Sequence, residues 1–225
     1  MTNSDAMGQK VNPTSFRTGN FKTWQSRWFV DGATYKDYLF EDFKIRDILM
    51  EKYKLAGINK VEIERLPKSM VVRLTVSRPG IVIGRGGSGL EDLKKLIVGI
   101  IKEVRKGPSA DLKIDLKVNE VKNPELSAYL VATRIAGELE RRMPHRRVLS
   151  RVMERVMSSG ALGIKVVLSG RIGGSEIARR EKFKMGSVPA QTLRENIDYA
   201  EVPALLKRGY VGIKVYIHKK EQEEE

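Results

Sequence analysis

The chain has no cysteine, two histidines and no long apolar run. Without cysteine there is no disulfide, no thiolate nucleophile and no thiolate metal site. His145 and His218 are the only imidazoles, and they lie far apart in the sequence. No segment approaches the roughly 20 apolar residues that a membrane helix needs. The N-terminus has no apolar core of the kind a secretory signal carries. The absence of both points to a cytoplasmic, soluble protein with no membrane partner, and no metal or cofactor is expected. Acid is also in deficit: 28 Asp and Glu face 42 Lys and Arg, a net charge of +14 over 225 residues. Such a chain gains free energy beside any polyanion, because neutralised phosphates release their counterions. Its apolar fraction, 41%, is enough for true cores, and the length suits one large or two ordinary domains.

Residues 1–36 read as a basic arm. Gly8, Asn12, Pro13 and Gly19 break it, and Phe16, Phe21, Trp24, Trp28 and Phe29 alternate with Lys10, Arg17, Lys22 and Arg27. The aromatics either tuck into the first domain or stack on bases, and the cations suit phosphates. Helical spacing follows over about 37–55, with Ile45, Ile48 and Leu49 on one face and Gly57 closing it. Val61 and Ile63 alternate with Glu62 and Glu64, and after the turn Pro67-Lys68-Ser69, Met70, Val72, Leu74 and Val76 alternate with Val71, Arg73, Thr75 and Ser77. That pattern predicts an antiparallel hairpin. After the break Arg78-Pro79-Gly80, apolarity alone reads Ile81-Val82-Ile83 as a strand. Leu90, Leu93, Ile97, Ile100, Ile101 and Val104 then share a helix face, which Gly107-Pro108 stops. Leu112, Ile114, Leu116 and Val118 form a third strand pattern. Asn123-Pro124 marks the domain boundary. Beyond it the patterns predict helices over about 125–142 and 146–159, a strand over 164–169, a loop-rich stretch over 170–187 and a last strand over 211–218. The acidic tail, 219–225, reads as solvated.

Gly84, Gly86 and Gly89 satisfy the spacing of a dinucleotide-binding loop, but that fold also needs a parallel sheet and an acid at the end of its second strand. Asp111 falls at the start of a strand, and Glu120 lies too far along. The string Gly84-Arg85-Gly86-Gly87 fits a different chemistry. Two glycines around two variable residues let backbone approach a phosphate chain, and the next helix points its unpaired N–H groups at the anion. Arg85 adds a cation at the tip, and Ile83 is expected to pack beneath.

Six arginines between 141 and 155 face one acid, Glu154. Arg147, Arg151 and Arg155 recur every four residues and form a stripe, with Arg146 beside it and Val148, Leu149, Val152 and Val156 opposite. Arginine suits bidentate phosphate contacts and stacking on bases. A second, weaker basic patch holds Arg171, Arg179, Arg180, Lys182 and Lys184 against Glu176 and Glu181.

The element order around the glycine loop resembles a type II KH domain, in which Ile81-Val82-Ile83 would belong to a short helix. Further stretches widen the likeness: Gly8-Gln9-Lys10-Val11-Asn12-Pro13, Gly163-Ile164-Lys165-Val166, and above all the run 169–179 from Ser169-Gly170-Arg171 to Ala178-Arg179. In order along nearly the whole chain, these resemble the bacterial-type S-three family of small-subunit ribosomal proteins. The resemblance implies an α+β protein with an N-terminal type II KH domain (37–122) and a second α+β domain (123–218). It implies binding to ribosomal RNA in the head of the small subunit. It also implies a lining role in the channel where messenger RNA enters, where the protein positions and helps unwind the message. Two message-gripping arginines of that family fall on Arg146 and Arg147, whereas the third basic position falls on Ser150, next to Arg151. Arg155 extends that face, and Lys10, Arg17, Arg171, Arg179, Arg180 and Lys182 are expected as further ribosomal RNA contacts. Head proteins ten and fourteen are the implied neighbours, and no obligate homo-oligomer is expected. A free KH regulator would leave the second domain's likeness unexplained. An enzyme would need an activated lysine or paired carboxylates on a metal, and no acidic cluster has metal-ligand spacing. No catalytic residue is expected.

Overall fold

The computed structural model describes residues 10–32, 34–66, 68–105 and 113–220. Gly8, Gln9, Pro67, Gly107-Pro108, Asp111, Leu112 and the tail from 221 therefore lie outside the described residues. The elements run α1 (Pro13–Arg17), β1 (Ser26–Arg27), α2 (Thr34–Lys52), β2 (Ile58–Leu66), β3 (Ser69–Val76), α3 (Pro79–Ile83), α4 (Ser88–Arg105), β4 (Lys113–Glu120), α5 (Ala128–Glu140), α6 (His145–Ser158), β5 (Gly163–Gly170), β6 (Arg179–Gly186), β7 (Ile197–Leu206) and β8 (Gly209–His218). They form two compact units, Trp24–Lys122 and a second that joins the residues up to Thr23 with those from Asn123 on. Residues 1–36 were expected to form one arm. The structure divides them at Thr23 instead, and it gives the early part a capped helix: the Asn12 side chain accepts the Thr14 N–H at 2.8 Å, and Pro13 opens α1.

In the unit Trp24–Lys122 the sheet order is β1-β2-β3-β4. The hairpin is antiparallel as the alternation predicts, with Val61 opposite Leu74 and Ile63 opposite Val72. The flanking pairs β1–β2 and β3–β4 are parallel, so the sheet is mixed. Met70, Val72, Leu74 and Val76 are fully buried against Ile45 and Leu49 of α2 and Leu93, Ile97 and Ile101 of α4. Ile81 to Ile83 are helical, not a strand. Pro79 starts that helix, and a three-residue apolar run carries no period that could distinguish the two. Val82 is the buried residue there, and Ile83 is 36% exposed, so the expected packing role passes to Val82.

The second unit is a wholly antiparallel sheet, β6-β5-β8-β7. One face is covered: α5 lies over β7 and β8, and α6 lies against β5 and β6. Ile164, Val166 and Leu168 of β5 meet Val131, Ile135, Leu149 and Val152 of the helices in one core. The stretch 170–187 is not all loop, because 179–186 pairs along the full length of β5. The strand β7 has no counterpart among the predicted elements. It contains Pro203, which an edge strand tolerates because one side of its backbone has no partner.

Asp198 of β7 ties this unit together. Its carboxylate accepts the N–H of Ala128 at the start of α5 (3.1 Å) and the Lys219 ammonium (3.0 Å). Burial alone would raise its pKa, but Lys219, Lys22 and the Ala128 N–H outweigh that and hold it below the ordinary 3.8. A depressed folded pKa contributes stability that is complete above the unfolded value and disappears as pH falls through the folded one. Urea unfolding followed by circular dichroism is expected to weaken as the pH drops below about 4, and Asp198→Asn should flatten that dependence.

Candidate nucleic-acid interface

The glycine loop joins α3 to α4. Gly84 caps α3 with φ 71° and ψ 179°, and Arg85-Gly86-Gly87 form a single 3-10 turn with Gly86 at φ 60° and Gly87 at φ 81°. Arg85 is exposed at the tip and forms no side-chain hydrogen bond or ion pair among the described residues. Helix α4 starts directly after it, with the Ser88 N–H bonded to the Arg85 carbonyl, so the loop brings backbone and an unpaired guanidinium together at a helix start. Ile81, 46% exposed, and Ile83 place apolar surface alongside.

In α6 the periodicity separates two faces as expected. Val148, Leu149, Val152, Met153 and Val156 are buried, whereas Arg146, Arg147 and Arg155 are exposed and Arg151 is half-buried. None of these four guanidiniums forms an ion pair or side-chain hydrogen bond among the described residues. Mutual repulsion along one helix face therefore stands uncompensated, and an anion would relieve it. Arg147 and Arg151 also flank a cleft of about 270 Å³ with Met143, Pro144 and Val148.

A third basic surface was only partly legible. Because 179–186 is a strand, Arg180, Lys182 and Lys184 point to the sheet face that α5 and α6 leave uncovered. They sit opposite Ser169, Val167 and Lys165 of β5, which in turn face Gly212, Lys214 and Tyr216 of β8. Tyr216 packs on Tyr199 with centroids 4.8 Å apart, and the Lys165 ammonium lies 5.3 Å from the Tyr216 ring. Partial burial pulls the Lys165 pKa down, and Lys10, Lys182, Arg180 and Lys184 pull it further. Glu201 of β7 pairs with Lys214 at 3.2 Å and accepts the Tyr199 hydroxyl at 2.9 Å, which leaves Lys165, Arg180, Lys182 and Lys184 as the cations that suit phosphates beside the two tyrosines. Sequence reasoning missed Lys165, Lys214, Tyr199 and Tyr216; the signal was the alternation of Arg180, Lys182 and Lys184 with Glu181, Phe183 and Met185.

The expected contacts Lys10, Arg180 and Lys182 thus share this face, and Lys10 adds its charge to Lys165. Arg179 pairs with Glu181 at 2.9 Å, and Arg171 is braced on the carbonyls of Ser175 and Arg208. Arg17 is a correction. Its guanidinium is buried and donates to the carbonyls of Pro13, Ala190, Thr192 and Glu195, at 2.7 to 3.2 Å. Every nitrogen is occupied, so Arg17 anchors the N-terminal segment and is no RNA contact. The arm's aromatics divide: Trp28 packs on Tyr35 and Tyr38 and donates to Asp42 at 2.8 Å, while Phe16, Phe21, Trp24 and Phe29 are exposed. Among the described residues, no group of three or more His, Asp or Glu side chains could hold a metal, and no helix is long and apolar enough to cross a membrane.

Residues 44–126 match the KH domain, and residues 135–217 match the domain described as Ribosomal protein S3, C-terminal domain. The small ribosomal subunit protein uS3 of Caldicellulosiruptor saccharolyticus is 46% identical over 213 residues, which cover 95% of this chain and 92% of that protein. The protein of the same name from Desulfosudis oleivorans is 46% identical over 215 residues, 96% of each chain. That of Persephonella marina is 46% identical over 213 residues, 95% of this chain and 90% of its own.

Proposed function

Since the chain belongs to the family of small ribosomal subunit protein uS3, we propose that it lines the channel where messenger RNA enters and positions and helps unwind the message. At the family level it is a structural ribosomal protein, not an enzyme, and it binds ribosomal RNA as part of the small subunit. The finer role rests on one observation: four guanidiniums of α6 stand without partners on a helix whose other face is fixed in a core. A rigid row of arginines can hold a moving phosphate backbone without reading its sequence. Ser150 stands within that row where a cation is expected, which leaves Arg151 as the neighbouring charge. The open sheet face of Lys165, Arg180, Lys182 and Lys184 suits ribosomal RNA, which stays in place. For the unit Trp24–Lys122, exposed Leu39, Phe40 and Phe43 on α2 support a protein neighbour, which we take to be head protein ten or fourteen.

Arg146→Ala combined with Arg147→Ala tests this reading. Binding of a labelled single-stranded RNA, followed by anisotropy against salt concentration, is expected to lose about 0.7 of logarithmic slope per contact removed, roughly 1.4 in all. The loss should be uniform across RNA sequences. A slope equal to that of the unaltered protein would mean that this face is only solvated.

A further inference from the structure

The second unit holds a cavity that neither basic face uses. It measures about 470 Å³ and opens where the α5–α6 turn meets the loop after β5 and the β7–β8 turn. That is within the roughly 300–1,000 Å³ of ligand pockets. Leu168 and Val211 lie buried at its floor, and Met143, Pro144 and Leu206 form apolar walls. Its rim carries Arg142, Arg171, Lys207 and Arg208 against one lining carboxylate, Glu140. Arg208 donates to the Gly174 carbonyl and Arg171 to the Arg208 carbonyl (3.4 Å), so the two are braced in place. The side chains of Arg142 and Lys207 have no hydrogen bond or ion pair among the described residues. The ring of His145 stands at one wall, held through Nε2 by Glu181 at 3.1 Å. Gly173 lies against the same ring: a Cβ there would stand 3.9 Å from Nδ1, in ordinary contact.

Arg142 is the odd residue. It terminates α5 with φ 62°, the one non-glycine positive φ among the described residues. Its N–H bonds Leu139 and that of Met143 bonds Glu138, a helix ending that usually has glycine at this position. Strain held at a cavity rim directs attention to what the side chain does.

We propose that this cavity takes one nucleotide of an RNA strand, with the base in the apolar slot beside His145 and the phosphate on Arg142, Arg171, Lys207 and Arg208. The inference rests on the RNA-binding reading above and adds a specific site to it. An inorganic anion would satisfy the rim and leave the slot empty, whereas an apolar ligand would leave four cations unpaired. A nucleotide matches both, since bases stack on histidine rings and guanidinium planes while arginines take the phosphate. A free nucleotide shares that chemistry, so the test separates the two sources.

A single-stranded RNA decamer carrying 4-thiouridine is crosslinked to the full chain and the attachment sites are mapped, and AMP alone is titrated with saturation-transfer NMR. Crosslinks are expected within 142–145 or 205–208. Arg142→Gly should weaken binding of the decamer by about tenfold, the order of one charge-assisted contact. The same substitution relieves the positive φ, so its melting temperature should equal or exceed that of the unaltered protein. Crosslinks confined to α6, the sheet face or the glycine loop, with Arg142→Gly binding normally, would overturn the cavity and leave RNA binding standing. AMP binding that Arg142→Gly abolishes, without cavity crosslinks, would assign the site to a free nucleotide and overturn the proposal as stated. No decamer binding at all would remove the RNA reading with it.

Discussion

Replacing Arg65 with methionine is expected to destabilise the Trp24–Lys122 unit by about 3–5 kcal/mol, the cost of stranding a buried charge. Arg65 ends the inward phase of β2 and is nearly inaccessible. Its guanidinium meets Glu41 at 2.5 Å and Asp42 at 2.5 Å, both fully buried on α2. Glu41 also holds Arg105 of α4 at 2.6 Å, and Tyr38 lies between the two arginines at 4.7 and 5.1 Å. One charged cluster thus joins the strand to both long helices. Without Arg65, Glu41 keeps Arg105, but Asp42 keeps only the Ser26 hydroxyl and the Trp28 indole N–H. Adding Asp42→Asn to Arg65→Met should therefore recover part of the loss, a coupling that a double-mutant cycle reads directly. Both tryptophans of the chain lie in this unit, so fluorescence in urea follows it alone. The exposed pair of Arg27 and Glu64 is the control: Arg27→Ala should cost no more than about 1 kcal/mol. A midpoint for Arg65→Met within the range of Arg27→Ala would mean that the cluster contributes nothing net.

That cluster also marks the limit of pattern reading. Alternation makes β2 and β3 legible because one face is buried and a one-residue slip would expose every apolar side chain. The same alternation, 61, 63, 65, runs on to Arg65, and helical spacing from Ile45 and Leu49 leads back to Glu41 and Asp42. The phases agree that these three charges point inward, yet residue type argues against it, and phase wins because Arg105 joins them and the four charges neutralise one another. In the outward direction α2 exposes Leu39, Phe40 and Phe43. Apolar spacing alone would bury the wrong face of its first half. The strand β6 is hidden by a related effect: its open face is all cation, so composition suggests a loop while pairing with β5 makes it a strand.

The basic surfaces were legible where a period carried them and not where folding brought distant segments together. The arginine stripe of α6 follows from spacing by four and stands as spaced. The open sheet face needs β5, β6 and β8 in register, and no local window contains all three. Arg17 shows the converse. Its charge and its place among aromatics suit a phosphate contact, but carbonyls from 190, 192 and 195 close over it, and only tertiary structure supplies them. A cation in a basic arm is an RNA contact only if the fold has no other use for it.

Gly89→Ala is expected to separate the two uses of the glycine loop. A Cβ at Gly89 would stand 2.4 Å from the Val82 carbonyl oxygen and 2.9 Å from that of Ile83, and one at Gly84 would stand 2.9 Å from the Gly89 nitrogen. These two glycines let α4 cross the end of α3 in direct backbone contact. The clash is with main chain, so no rotamer change relieves it, and the cost should reach the upper end for overpacking, about 3 kcal/mol. Gly86 differs: it has φ 60° but nothing within 4 Å of a Cβ. Gly86→Ala should cost only about 1–2 kcal/mol, the penalty of a left-handed L-residue. If the loop holds RNA backbone by close approach and by the N–H groups of α4, both substitutions reduce affinity for single-stranded RNA. Only Gly89→Ala should move the tryptophan unfolding midpoint far. An affinity loss in Gly86→Ala with the fold intact would place RNA on the loop itself. Normal affinity in Gly86→Ala would leave the four-residue string as the hinge of a helix crossing, with no part in holding RNA.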